Sequence, residues 1–141
     1  MKCSELMQPD PEAVIPEDRL SDILKVMLTR DVGSVPVVDA RETRAPLGVI
    51  TDRDVALYLA SHDVRPSEVL CRAVMSSPVV TVSSEDDIKM ARDKMREFQL
   101  RRIVVVEGGR IVGIISHADF AREKPKEAQE ILEDVSQPKA A

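Results

Sequence analysis

Gly48-Val49-Ile50-Thr51-Asp52-Arg53-Asp54 is written a second time as Gly113-Ile114-Ile115-Ser116-His117-Ala118-Asp119. Each copy has a glycine, a β-branched run, a hydroxyl residue, two variable positions and an aspartate. An apolar segment follows each aspartate, Val55-Ala56-Leu57-Tyr58-Leu59 in one copy and Phe120-Ala121 in the other. Such a stretch reads as a strand that runs straight into a helix.

Moving outward from this pair, the match continues. A shift of 68 places lays Cys3 on Cys71, Met7 on Met75, Val14 on Val82, Glu17-Asp18 on Glu85-Asp86, and Met27 on Met95. Three extra residues between Ala40 and Pro46 in the first copy change the shift to 65, which superposes the two motifs. The chain is therefore an internal duplication, and one repeat predicts the other.

Within each repeat, a Pro-bearing lead-in precedes a short extended stretch, Ala13-Val14-Ile15 or Val79-Val80-Thr81-Val82. Acidic residues at Glu17-Asp18, and Ser84 with Glu85-Asp86-Asp87, mark helix starts. Leu20, Ile23, Leu24 and Met27 follow at helical spacing, and Ile88, Ala91 and Met95 repeat that face, so both methionines read as core. Two β-branched runs close each copy. The second pair, joined through Gly108-Gly109, is a hairpin signal. Near-continuous apolar runs predict strands covered on both faces. Each copy thus reads β-α-β-β-α, an α/β (α+β) fold. The expected organisation is a first repeat over 1–60, a linker over 61–68, a second repeat over 69–122, and a C-terminal helix and tail over 123–141. In the tail, Ala128, Ile131, Leu132 and Val135 form one apolar stripe, which must rest on its own module or on a partner subunit.

The chain has 141 residues, 43% hydrophobic and 32% charged, with a formal charge of −5. That length can bury roughly two thirds of its unfolded surface. An acidic balance lacks the basic face that nucleic acid or an anionic membrane requires. With 2% aromatic residues the core must be aliphatic, and no stacking platform for single strands exists. Cys3 and Cys71 have no metal-ligand spacing and read as small buried hydrophobes in a reducing compartment. Neither a signal-like apolar run nor a membrane-length span occurs, which points to the cytoplasm.

The doubled Gly-x-Ile-[Thr/Ser]-x-x-Asp, Val-Pro-Val-Val-Asp at 35–39 and Arg-Arg-Ile-Val-Val-Val at 101–106 resemble the motifs of a tandem CBS pair, or Bateman module. The resemblance runs from about Cys3 to about Arg122 and is nearest to small stand-alone two-repeat proteins. It implies two CBS repeats packed sheet to sheet about a pseudo-twofold axis, with two clefts. It also implies that the motif aspartate holds the ribose hydroxyls of an adenine nucleotide. Carried over residue by residue, one cleft would use Thr51 and Asp54 with Val80, Leu100 and Arg101. The other would use Ser116 and Asp119 with Ala13 and Val32, and Arg102 near the phosphate. Glu12 stands where the second copy has Val80, and Ser34 where it has Arg102, so the two clefts are not equivalent. If one binds adenosine, it is the Thr51/Asp54 cleft.

Chemistry supports the same residues. A vicinal diol presents two donors to one carboxylate, and charge-assisted bonds are the stronger kind. Arg53, Arg101 and Arg102 offer forked donors. Thr-x-x-Asp is equally the spacing of a helix capping box, and capping is compatible with binding. His117, inside the second motif, reads as a surface residue. Three functional classes follow. The first is a regulatory module that senses AMP, ADP, ATP or a related adenosine ligand, NAD and S-adenosylmethionine included, and requires no cofactor. An unidentified effector protein reads it; the resemblance also implies a homodimer paired through its helices, the tail stripe fitting a subunit contact. The alternative is a dimerisation or scaffolding module with vestigial clefts. An enzyme is disfavoured: no nucleophile–base pair, metal-ligand cluster or Gly-rich phosphate loop stands in motif context.

Overall fold

Cys3 and Cys71 hold equivalent places in the two repeats, and each is fully buried in the core of the opposite one. In the computed structural model, which describes residues 1–135, the chain forms two compact units. One is Glu12–Val79. The other joins Met1–Pro11 to the chain from Val80 onward. The lead-ins are thus exchanged relative to the repeat boundaries read from sequence. Because Cys3, Met7 and their counterparts Cys71, Met75 are alike, the sequence pattern fits either lead-in to either core equally well.

In chain order the elements are α1 (Cys3–Leu6), β1 (Gln8–Pro9), α2 (Leu20–Arg30), β2 (Ser34–Val38), β3 (Pro46–Thr51) and α3 (Asp52–Ser61). Two short 3₁₀ turns, Pro66–Glu68 and Cys71–Ala73, lead to β4 (Thr81–Ser83) and α4 (Ile88–Glu97). β5 (Arg102–Glu107), β6 (Arg110–Ser116), α5 (His117–Glu123) and α6 (Pro125–Val135) complete the described chain. No helix among the described residues is long and apolar enough to cross a membrane.

Each lead-in docks on the opposite repeat by backbone hydrogen bonds. In the unit Glu12–Val79, the Cys71 N–H donates to the Asp18 carbonyl at 2.7 Å and the Leu20 N–H to the Val69 carbonyl at 2.9 Å. In the other unit, the Cys3 N–H donates to the Asp86 carbonyl at 2.8 Å and the Ile88 N–H to the Met1 carbonyl at 3.0 Å. These are the same bonds, displaced by one repeat. The bonds from Leu20 and Ile88 satisfy free N–H groups at the first turns of α2 and α4, the groups a helix leaves unpaired.

The acidic residues expected to start the helices act one step earlier. Asp18 accepts the Ile15 N–H at 3.0 Å, and Asp86 accepts the Ser83 N–H at 2.8 Å. Only Asp87 caps, taking the Lys89 N–H at 2.9 Å. The extended stretch at Ala13–Ile15 is reduced to a single parallel bridge between Val14 and Val37, whereas its counterpart is strand β4, parallel to β5. Pro11 and Pro16 flank the first stretch and remove ladder donors, which confines pairing to its middle.

In the unit Glu12–Val79, β2 and β3 form an antiparallel pair with Ser34 opposite Thr51 and Val35 opposite Ile50. Val35 to Val38 are all buried, as the continuous apolar run predicts. The other unit carries a four-stranded sheet in the order β1-β6-β5-β4, with Arg102 opposite Ser116. Gly108 and Gly109 turn the β5–β6 hairpin at φ 59° and 77°, a region costly for side chains with a Cβ.

Helix α6 takes the first of the two expected resting places, its own module. Its stripe is spent inside the molecule: Ala128 and Ile131 are buried in the core that holds Phe120 and Met95. The stripe therefore gives no support to a subunit contact. Arg96 pairs with Asp134 at 2.6 Å and Glu130 at 3.2 Å, and a His117 ring nitrogen lies 3.0 Å from the Ala128 carbonyl. Such half-exposed pairs contribute little next to buried methylenes. Ile131→Ala is expected to cost about 2–4 kcal/mol in chemical denaturation, and Arg96→Ala far less. Equal losses would assign α6 to electrostatics instead.

Candidate functional site

The two motif copies sit at two strand-to-helix junctions, and the same backbone builds both. β3 delivers Thr51 to the amino terminus of α3, where its hydroxyl accepts the Asp54 N–H at 3.0 Å. β6 delivers Ser116 to the amino terminus of α5, where its hydroxyl accepts the Asp119 N–H at 3.3 Å. The Gly33 carbonyl takes the Asp52 N–H at 2.9 Å, and the Arg101 carbonyl takes the His117 N–H at 2.8 Å. Both hydroxyl residues are therefore helix caps, as their spacing allows.

The carboxylates differ. Asp119 is 2% exposed and fully engaged. One oxygen accepts Gln8 Nε2 at 2.9 Å and Arg122 Nη2 at 3.0 Å. The other accepts the Ser116 N–H at 2.8 Å and the Ser116 hydroxyl at 3.0 Å. A carboxylate has about four acceptor positions, so nothing is left over. Burial pushes the Asp119 carboxyl up, but the bonds from the Ser116 N–H, Gln8, the Ser116 hydroxyl and Arg122 together outweigh it and hold the group below its ordinary range.

Asp54 is half-buried, and no hydrogen bond or ion pair among the described residues engages its carboxylate. The cause is legible at two positions. Ser76 stands where the other unit has Gln8, and it bridges Val49 in the register in which Gln8 meets Ile114. Leu57, 55% exposed, stands where the other unit has Arg122. A short hydroxyl and an isobutyl group replace an amide and a guanidinium. Sequence reasoning missed Gln8 and Arg122 because neither lies in the doubled motif; sliding the repeats against each other at these two places would have exposed the difference.

The remaining predicted residues fall as follows. Val32 and Leu100 follow the left-handed residues Asp31 and Gln99, and donate their N–H groups to the Met27 carbonyl at 3.0 Å and the Met95 carbonyl at 2.8 Å. This is the Schellman ending of α2 and α4, whose next residue is characteristically apolar. Val32 packs against one core, and Val80 and Leu100 against the other. Ala13 is half-buried ahead of Val14. Arg101 and Arg102 are exposed, with Arg102 opposite Ser116. Glu12, read from sequence as a charge at an adenine slot, is ion-paired to Arg30 at 2.6 Å. His117 is half-buried and tied to α6 rather than lying at the surface. Thr51 and Asp54 belong to one unit with Ala13 and Val32; Ser116, Asp119, Val80, Leu100, Arg101 and Arg102 belong to the other.

Comparison with known proteins bears on these junctions. The family model for the CBS domain matches residues 3–61 and again 71–126. An uncharacterised protein of Methanopyrus kandleri is 31% identical over 111 residues, covering 78% of this chain; the chain spans 56% of that relative's length. In fold, the chain is similar to Hypoxic Response Protein I, a structure with two coordinated zinc ions, at a TM-score of 0.79 and 24% identity, covering 89% of this chain and all of the other. Its Mycobacterium tuberculosis sequence is 25% identical over 124 residues, 88% of this chain and 85% of that protein. A CBS domain protein from Pyrobaculum aerophilum, complexed with AMP, superposes at a TM-score of 0.75 with 24% identity, covering 96% of this chain and 98% of the other. Two matched segments, one on each copy of the doubled motif, establish that the chain belongs to the CBS-domain family as a tandem pair of CBS repeats.

Proposed function

We propose that this tandem pair is a regulatory, cytoplasmic module that binds an adenosine-containing ligand (AMP, ADP or ATP) without performing chemistry, and that Asp54 is the carboxylate that holds its ribose. One observation carries the proposal: among the described residues nothing engages the Asp54 carboxylate at its capped helix start, while its twin Asp119 is saturated. A free carboxylate can accept both hydroxyls of a vicinal diol. The positive dipole end of the ten-residue α3 lies at the same junction and favours an anionic group there. AMP bound to the Pyrobaculum protein supports the ligand class. An effector protein reads the bound state through its differential affinity for the conformers the ligand favours.

The absence of catalysis is supported by the thiols. Burial, reinforced by Asp86 and Asp87, pushes Cys3 up to about 11; burial with Asp18 and Glu17 does the same for Cys71. Neither is a thiolate near neutral pH, so neither is an activated nucleophile. Among the described residues no three His, Cys, Asp or Glu side chains gather as a metal-ligand set. Exposed Leu28, Leu57, Met90 and Phe98 favour a second reading, a homodimerisation or scaffolding module.

A thermal-shift series separates the two. A ligand that binds only the folded state raises the melting temperature with concentration. AMP, ADP or ATP is expected to do so for the wild-type chain, and about ten- to a hundredfold more ligand is expected to be needed for Asp54→Ala. No rise with any adenine nucleotide would favour the scaffolding module.

A further inference from the structure

We infer that the two copies of the motif have divided their labour: Asp119 is a latch that fastens the lead-in Met1–Pro11 to α5, and the pairs Gln8/Ser76 and Arg122/Leu57 decide which aspartate is locked and which is open. The ligand part of this inference rests on the reading of Asp54 above; the latch does not.

The geometry is specific. β1, only two residues long, pairs with β6 through Gln8 opposite Ile114 and Pro9 opposite Gly113. From that register the Gln8 amide reaches Asp119 at 2.9 Å, one turn into α5. Arg122, one turn further along α5, closes on the same oxygen at 3.0 Å. The carboxylate therefore joins the exchanged lead-in, 111 positions away in sequence, to the end of β6 and to α5. Removing one partner of a buried, charge-assisted group leaves the rest unsatisfied, so the contacts must be coupled. At the other junction no bond to the Asp54 carboxylate corresponds among the described residues: Ser76 offers a short hydroxyl in place of the Gln8 amide, and Leu57 has no donor. There Ser76 is held through its backbone, exchanging N–H···O bonds with Val49 at 2.9 Å.

Held below its ordinary range, the Asp119 carboxyl gives the latch a defined pH sense. Its contribution is complete above the carboxylate range of the unfolded chain and is lost as the pH falls through the folded value. The charged and polar groups facing it are Arg122 on α5, Gln8 on the lead-in and Ser116 at the end of β6.

Two measurements test the inference. Without ligand, thermal melting of Gln8→Ala, Asp119→Asn and their double variant forms a cycle, repeated with Ser76→Ala and Asp54→Asn. The first cycle is expected to be strongly non-additive and the second additive; an additive first cycle overturns the latch. With AMP, the double variant Ser76→Gln/Leu57→Arg is expected to fold normally and to bind about tenfold or more weakly, as Asp54→Ala does. Unchanged AMP affinity in that variant overturns the assignment of Ser76 and Leu57. If the wild-type chain gives no response to AMP, the proposed ligand falls, and the ligand-free cycles still decide the latch.

Discussion

Phe120→Ala is expected to lower the unfolding free energy by about 3–5 kcal/mol, measured by urea denaturation with an unchanged slope. Phe120 is fully buried and heads the largest side chains that are so. It sits in the core with Cys3, Leu6, Met95, Ile115 and Ile131, in the unit closed by the exchanged lead-in. Truncation would remove most of a benzyl group from a site walled by α1, β6 and α6, where relaxation is limited. In a chain with only two phenylalanines and no tryptophan, no second aromatic can fill the space. Its counterpart Val55, also buried, supplies far less volume. A loss below about 1 kcal/mol would show that the unit collapses around the cavity.

Gly48→Ala should cost about 3 kcal/mol, more than Gly113→Ala. A Cβ on Gly48 would collide with the carbonyl oxygen of Ser76, and that carbonyl is fixed by the Val49 N–H at 2.9 Å. Relief requires breaking the two backbone bonds that pair Ser76 with Val49. At Gly113 the obstacle is the Met7 side chain, whose thioether can move aside but whose Cβ, 2.9 Å away, must shift with its backbone. The glycine that opens each motif is thus a place where another segment approaches closely, by its backbone at Gly48 and by a side chain at Gly113, rather than a turn. Equal losses at the two positions, by the same denaturation assay, would contradict the difference in obstacle.

The duplication made most of the fold legible. Both hairpins, the core helices α2 and α4, the capped starts of α3 and α5 and the apolar tail helix follow from periodicity applied twice. What the sequence concealed were long-range choices between equivalent partners. The exchange of lead-ins is one: Cys3 and Cys71 satisfy the same contacts, so local pattern cannot say which core each enters. The tail stripe is another, because an apolar face does not name what covers it. Asp18 and Asp86 were recognisable as terminus residues, but their competition between a helix and the preceding turn was decided by geometry. At the candidate site, Thr51, Asp54, Ser116 and Asp119 were found by the repeated motif. The difference between the two aspartates was not, because it is made by Gln8 and Arg122, residues 111 and 3 positions from Asp119.

That difference is where the functional reading stands or falls. Isothermal titration of AMP into the wild-type chain and into Asp54→Ala tests it most directly. Saturable binding in the wild-type chain that weakens about ten- to a hundredfold in Asp54→Ala, with the fold intact, is the predicted result. Equal affinities in the two proteins would contradict it.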